Sequence, residues 1–180
     1  GFGSAGERCM AVSVVLATDS IADQLVEKIV ARVRTLRTGD GSTGVDMGPI
    51  VTRQARDRIT GYIAAGAQAG ATLVVDGREG PFDGASDGYF VGPTLFDNVA
   101  TDMSIYTDEI FGPVLSVVRV SGFDEGLGLI NANPYGNGSV IFTNDGGAAR
   151  KFEIEVQSGM VGINVPVPVP MAYYSFGGWK

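Results

Sequence analysis

Val12-Ser13-Val14-Val15-Leu16-Ala17 runs, through Thr18, into Asp19-Ser20-Ile21-Ala22-Asp23-Gln24-Leu25 and onward to Gly39. The first six residues form a short apolar run of the length and composition of a buried strand. After it the period changes. Ile21, Leu25, Ile29, Val33 and Leu36 recur at steps of three and four, so one face of a helix is apolar. Asp19 or Ser20 is placed to cap that helix and Asp23 lies in its first turn. Arg32, Arg34 and Arg37 fall towards its end, each sign suiting the helix dipole there. Gly39 is the expected stop.

The same alternation continues downstream. Gly39 to Pro49 reads as a loop, and Thr52 opens a second helix through Ala55, Ile59, Ile63 and Ala67 to Gly70. Its arginines, Arg53, Arg56 and Arg58, read as a solvated face. Leu73-Val74-Val75 is a short strand, and a glycine-rich loop covers Gly77 to Gly88. Tyr89 to Leu95 is extended, with Pro93 predicting an edge or a bulge. Further strands are expected at Leu115 to Val120, Ser139 to Thr143 and Met160 to Val165. Helices are expected at Phe123 to Asn131 and Ala148 to Val156. Gly126 and Gly128 weaken the first of these helices by up to about 1 kcal/mol each. Pro166, Pro168 and Pro170 hold the segment after the last strand extended. Strands alternating with helices predict an α/β fold, with a mostly parallel sheet flanked by helices on both faces. The chain starts without a run-in and stops at Trp179-Lys180 in mid-loop, so truncation at both ends is the expectation.

Composition narrows the chemistry. With 180 residues the chain suffices for one domain with a core, and 44% hydrophobic with 18% charged residues is the balance of a globular protein. The net charge of −7, without a basic stripe, argues against nucleic acid as a partner. No apolar run reaches the ~20 residues of a membrane span, and no signal peptide is apparent. One cysteine makes no internal disulfide, which points to a reducing compartment. Zero histidines exclude Ser-His-Asp and Cys-His chemistry within the chain, and His-rich metal sites with it.

That cysteine stands in Phe2-Gly3-Ser4-Ala5-Gly6-Glu7-Arg8-Cys9-Met10-Ala11. A thiol attacks as its thiolate, which a neighbouring guanidinium favours, as would helix-N-terminal amides if a helical turn begins here. The glycines allow backbone to approach a ligand closely. Beside methionine and alanine, the same residue also reads as a buried, inert small hydrophobe, and the local sequence leaves both readings open. Gly1, Gly3 and Gly6 fit the letters G-x-G-x-x-G. A dinucleotide or phosphate cradle of that kind needs a strand before it and a helix after Gly6, and nothing precedes Gly1.

Four separated stretches together resemble the aldehyde dehydrogenase superfamily, specifically its catalytic domain. They are the run around Cys9, Glu109-Ile110-Phe111-Gly112-Pro113-Val114, Tyr135-Gly136-Asn137-Gly138 before Ile141-Phe142-Thr143, and Phe176-Gly177-Gly178-Trp179-Lys180. Their order and spacing fit over essentially the whole chain. E-I-F-G-P-V with a cysteine about 100 residues upstream is specific where neither part is alone. Within the superfamily, Gly6 to Ala11 and Val165-Pro166-Val167-Pro168-Val169-Pro170-Met171 resemble the methylmalonate-semialdehyde dehydrogenase branch, whose members are CoA-acylating.

The resemblance implies roles residue by residue. Cys9 matches the catalytic nucleophile, and its backbone amide one oxyanion donor. Glu109 matches the acid that holds the nicotinamide ribose, and Phe111 the aromatic packed near the nicotinamide. Arg8 is placed to pair bidentately with the carboxylate of a semialdehyde substrate, and Phe176 matches a loop near the substrate entrance. No metal is implied. The implied parent uses NAD as cofactor and coenzyme A as co-substrate, converting methylmalonate or malonate semialdehyde to propionyl- or acetyl-CoA. It is cytoplasmic (mitochondrial matrix if eukaryotic) and a homo-oligomer, acting on a small-molecule semialdehyde without nucleic acid or membrane. Residues 1–180 then form a single nucleophile-bearing catalytic domain fragment from which the nucleotide-binding domain is absent, expected to be inactive alone. A water-using, NAD(P)-dependent aldehyde dehydrogenase and a non-catalytic α/β fragment are the competing readings.

Overall fold

A computed structural model describes residues 1–84, 87–167, 169, 171–175 and 179–180. The chain divides into two compact units, Gly1–Arg119 and Val120–Lys180.

In the first unit the apolar run becomes strand β1 (Val14–Thr18), followed directly by helix α1 (Asp19–Val33). Helix α2 (Arg53–Gln68), strands β2 (Thr72–Val75) and β3 (Thr94–Asp97), the single-turn helix α3 (Ser104–Thr107) and strand β4 (Val114–Val120) complete it. The sheet order is β1-β4-β3-β2. β3 and β4 are parallel, with Thr94 opposite Val114 and Phe96 opposite Ser116. β2 joins antiparallel, with an irregularity between Leu73 and Val75.

The pleat sends alternate residues of β3 to opposite faces. Leu95 enters a core with Ala17, Ala22, Leu115 and Val117, against which Leu25, Val26, Ile29 and Val30 of α1 pack. Its neighbour Phe96 faces α2, since a β-carbon at Gly66 would stand 3.1 Å from its ring and 2.8 Å from Ile105. Both faces are therefore covered by helix, as the alternating pattern requires. α1 is further tied to the sheet by an ion-paired cluster. Arg119 on β4 grips the buried Asp97 with Nε and Nη2 at 3.2 and 2.7 Å, and Nη2 also lies 2.7 Å from Asp23 of α1.

Two expectations are corrected here. α1 ends at Val33, not at Gly39, because the Thr35 and Leu36 amides bond back three residues instead of four and the Thr35 hydroxyl donates to the Arg32 carbonyl. Arg37 leaves the helix and instead meets Asp83 at 2.8 Å and, through its amide, Asp46 at 2.9 Å. Pro93 marks neither an edge nor a bulge. β3 lies between β4 and β2 and starts one residue after the proline, so the missing N–H falls outside the ladder and Thr94 donates to the Pro113 carbonyl at 2.8 Å.

The second unit holds helix α4 (Phe123–Ala132), strand β5 (Gly138–Ile141), helix α5 (Gly146–Glu155) and strand β6 (Met160–Ile163). β5 and β6 pair in parallel, the connection passing through α5. Leu127, Phe152 and Val156 form its core with Phe123, Ile130, Ile141 and Val161 around them. α4 forms despite its glycines. Its acidic first turn offsets them, with Glu125 accepting from both the amide and the hydroxyl of Ser121 at 2.7 and 2.6 Å. Asp145 caps α5 by accepting from Gly147 and Ala148. Among the described residues no helix is long and apolar enough to cross a membrane.

Candidate active site

The run around Cys9 has no helix of its own length; it folds as two successive turns. Gly3–Gly6 forms a 3-10 turn in which Ser4, Ala5 and Gly6 all take positive φ, at 51°, 54° and 70°. Holding non-glycine residues there costs of order 1 kcal/mol each, and such strain persists only where packing enforces it. Packing does so here, since Ala5 is buried and Phe2 sits against the core under α1. The amide of Glu7 closes the first turn on Ser4, and Ala11 closes the second on Arg8 at 3.0 Å, with Cys9 between them. Cys9 and Arg8 are exposed. No helix starts between Gly6 and Asp19, so Cys9 does not stand at a helix N-terminus, and the phosphate-cradle reading of the glycines fails.

The second run, Glu109 to Val114, leads into β4. Burial alternates along it: Glu109 and Phe111 are exposed, while Ile110 and Gly112 are buried. Phe111 has φ 52°. The pattern has a mechanical cause in α2. Ile59 and Ile63 of that helix are fully buried, which fixes its rotation. Arg58 then donates from Nη1 to the Ile110 carbonyl at 2.5 Å, and one turn on Tyr62 donates to Asp108 at 3.0 Å. A β-carbon at Gly112 would stand 2.6 Å from Ile59 Cδ1. Residues 108, 110 and 112 are thus held by the helix, and 109 and 111 are left facing outward.

The two runs meet at their glycines. A β-carbon at Gly6 would lie 2.0 Å from the carbonyl oxygen of Gly112, so backbone rests directly on backbone. The structure brings the Arg8–Cys9 turn and the Glu109–Phe111 segment together in one unit. Phe176 lies outside the described residues. Two packed loops thus present an exposed thiol, an exposed carboxylate and an exposed aromatic ring. No group of metal-ligating side chains occurs among the described residues.

Glu7, Arg58 and Tyr62 were not among the residues the sequence singled out. Glu7 accepts from the Val51 amide at 3.2 Å. Burial pushes its carboxyl above the usual range, against the pull of that amide and of the Arg58 charge. Arg58 is exposed, as expected of the α2 arginines, and in addition donates to the Ile110 carbonyl. The available signal was its spacing: Arg58 and Tyr62 are four apart and adjoin Ile59 and Ile63, which puts them at the border of the buried face.

The sequence profile of the aldehyde dehydrogenase family matches residues 1–180. The chain belongs to that family. Malonate-semialdehyde dehydrogenase of Pseudomonas aeruginosa is 55% identical over 181 residues, covering 99% of this chain and 36% of that protein. The crystal structure of methylmalonate-semialdehyde dehydrogenase from Oceanimonas doudoroffii superposes with a TM-score of 0.96 at 52% identity, covering 99% of this chain and 37% of that one. A Sinorhizobium meliloti 1021 structure complexed with NAD gives a TM-score of 0.95 at 52% identity, covering 100% of this chain and 37% of that one. The chain therefore spans little more than a third of the relatives it matches. Against these aldehyde dehydrogenase structures its fold is the mixed α/β arrangement the sequence led us to expect.

Proposed function

We propose that residues 1–180 are the nucleophile-bearing catalytic part of an NAD-dependent, CoA-acylating semialdehyde dehydrogenase, the nucleotide-binding domain belonging to the rest of the parent. The observation that carries this reading is the packing of Gly6 on Gly112, which sets an exposed Cys9 turn beside an exposed Glu109 and Phe111. The relatives named malonate- and methylmalonate-semialdehyde dehydrogenase support the substrate class, and the complex with NAD supports the cofactor.

In this reading the Cys9 thiolate adds to the aldehyde carbon. A C–S bond forms while the carbonyl electron pair moves onto oxygen, where the Cys9 amide donates to it. The C–H bond of the adduct then breaks, its hydride leaves, and the acyl group stays on sulfur as a thioester. NAD, when bound, supplies the hydride acceptor. With NAD bound, Glu109 would hold the nicotinamide ribose by accepting from its two hydroxyls, and Phe111 would supply the aromatic near the nicotinamide. Arg8, exposed next to the nucleophile, pairs with the substrate's second carboxylate. Attack by the thiolate of coenzyme A on the thioester carbon breaks the C–S bond to Cys9 and releases its thiolate; loss of the substrate's carboxylate as CO2 leaves its electron pair on the α-carbon, which takes up a proton, giving acetyl- or propionyl-CoA. The proposed setting is a cytoplasmic homo-oligomer of the full-length parent.

The test uses that parent. Acyl-CoA formed from malonate or methylmalonate semialdehyde and NAD, and abolished by Cys9→Ser, is the expected result. Free acid from a simple aldehyde, with no dependence on coenzyme A, would move the chain to the hydrolytic members of the family.

A further inference from the structure

We infer that the cavity between the first turn of α2 and residues 87–89 binds the phosphorylated nucleotide end of coenzyme A, with Arg53 and Arg56 pairing with its phosphates. The inference rests on the reading above for the identity of the co-substrate.

The cavity has a volume of about 410 Å³ and is lined by Arg53, Arg56, Asp87, Gly88 and Tyr89. Arg53 and Arg56 are three apart in the first turn of α2, where the helix dipole favours acids. α1 and α4 follow that preference with Asp19 and with Asp124 and Glu125, so helix stability does not account for two cations here. Nor are they neutralised by the fold. Among the described residues the Arg56 guanidinium meets the adjacent, exposed Asp57 at 3.3 Å, an ion pair of the kind worth little, and Arg53 lies over the Tyr89 ring, 5.4 Å from its centroid. Asp87 lines the same cavity and forms no ion pair with either arginine among the described residues. One carboxylate against two guanidiniums leaves the cavity cationic, on a chain whose net charge is −7.

The donor types fit a phosphorylated purine nucleotide. Two guanidinium forks match phosphate oxygens, and a tyrosine ring beside an arginine is a surface on which a purine stacks. Asp87 supplies an acceptor for an exocyclic amine.

Position selects coenzyme A. Consecutive amides tie the cavity to the nucleophile loop: Ile50 donates to the Tyr89 carbonyl at 2.8 Å, and Val51 to the Glu7 carboxylate at 3.2 Å. Glu7 stands two residues before Cys9, and Arg53 two residues after Val51. A ligand anchored here by its phosphates has a short way to the sulfur, and coenzyme A carries its thiol on a flexible arm remote from its phosphates. On helical spacing Arg53 and Arg56 border the buried Ile59–Ile63 face on one side. Arg58 and Tyr62, which hold the Glu109 segment, border it on the other, so the cavity is separate from the place proposed for the nicotinamide ribose.

The experiment uses the full-length parent and a double variant carrying Arg53→Met and Arg56→Met. Coenzyme A, pantetheine (a thiol arm without the nucleotide) and NAD are varied in turn, and both proteins are titrated calorimetrically with adenosine 3′,5′-bisphosphate. The double variant is expected to raise the KM for coenzyme A by roughly tenfold or more and to weaken the bisphosphate by a similar factor, the worth of a hydrogen bond to a charged group. The KM for pantetheine should change by less than about twofold, since it has no phosphate to lose. Equal losses for coenzyme A and pantetheine would show that the arginines act on the loop and not on phosphate. A rise in the KM for NAD in place of coenzyme A would assign the cavity to the dinucleotide. Either result overturns the inference, as does unchanged binding of the bisphosphate. If the double variant does not fold, Arg53→Gln alone is judged by the same comparison. A parent that forms no acyl-CoA would sink the proposed function, while the bisphosphate titration, which needs no turnover, still decides whether these arginines hold phosphate.

Discussion

Gly6 lies against Gly112 so closely that a side chain on the first would meet the carbonyl oxygen of the second at 2.0 Å. The contact is between main chains, which no rotamer change can relieve. Gly6 also has φ 70°, a conformation that penalises any other L-residue. Gly6→Ala is therefore expected to destabilise the fold by about 3 kcal/mol, the left-handed cost added to that of overpacking. Gly3→Ala is the control, since nothing stands within 4 Å of its β-carbon position. Denaturant melts of the two variants check this; equal stability would show that the loops separate without loss.

Cys9 is exposed in the turn that Ala11 closes on Arg8, which separates it from the buried, inert thiol that its neighbours Met10 and Ala11 also suggested. Iodoacetamide is expected to alkylate it in the folded chain, without denaturant, at a rate within about tenfold of the unfolded chain. Mass spectrometry over a time course measures that ratio. Protection by several orders of magnitude would contradict the exposed turn.

The acid side of the stability curve has two opposing contributors. The carboxyl of Asp97 is opposed by burial, but the Arg119 guanidinium and the Asn98 amide outweigh it and hold the group below the usual carboxylate range. A depressed native pKa adds stability that is complete above the unfolded value of about 3.9 and is lost as pH falls below it. Glu7, raised by burial, works the other way: the stability it adds when protonated is lost as pH rises through the carboxylate range. Wild type should therefore be more stable than Asp97→Asn at pH 7, and the difference should shrink as pH falls through and below the carboxylate range. Parallel curves over that range would remove the charge of Asp97 from the account.

Local periodicity made most of the fold legible. The apolar steps Ile21, Leu25 and Ile29 placed α1, Thr52 placed the start of α2, and its side chain does accept from the Ala55 amide at 3.1 Å. What failed was decided by partners distant in the chain. Arg37 leaves the helix for Asp83, and Pro93 is tolerated next to a central strand because the ladder begins at Thr94, whose amide meets Pro113. The candidate site divides the same way. Cys9, Arg8, Glu109 and Phe111 follow from motif letters, whereas Arg58 and Tyr62 acquire their roles from how α2 is rotated over residues 108–112. Helix rotation is a tertiary fact, fixed by Ile59 and Ile63 packing on the sheet.

Arg8 offers the sharpest test of substrate class. It is exposed and immediately precedes Cys9, in the turn that Ala11 closes on the Arg8 carbonyl. Replacing it with leucine leaves that carbonyl, and hence the turn, in place while removing the charge. If the guanidinium pairs with the second carboxylate of the substrate, Arg8→Leu in the full-length parent should raise the KM for malonate semialdehyde by ten- to a hundredfold, roughly the worth of a charge-assisted hydrogen bond. The KM for an uncharged aldehyde of the same length should stay within about twofold, since that molecule leaves the guanidinium without a partner in either enzyme. Arg8→Lys should recover part of the loss, a point charge replacing a planar fork. Should both aldehydes lose equally, Arg8 acts on the turn or the thiol and not on the substrate's carboxylate, and the preference for carboxylated semialdehydes must be sought in another residue.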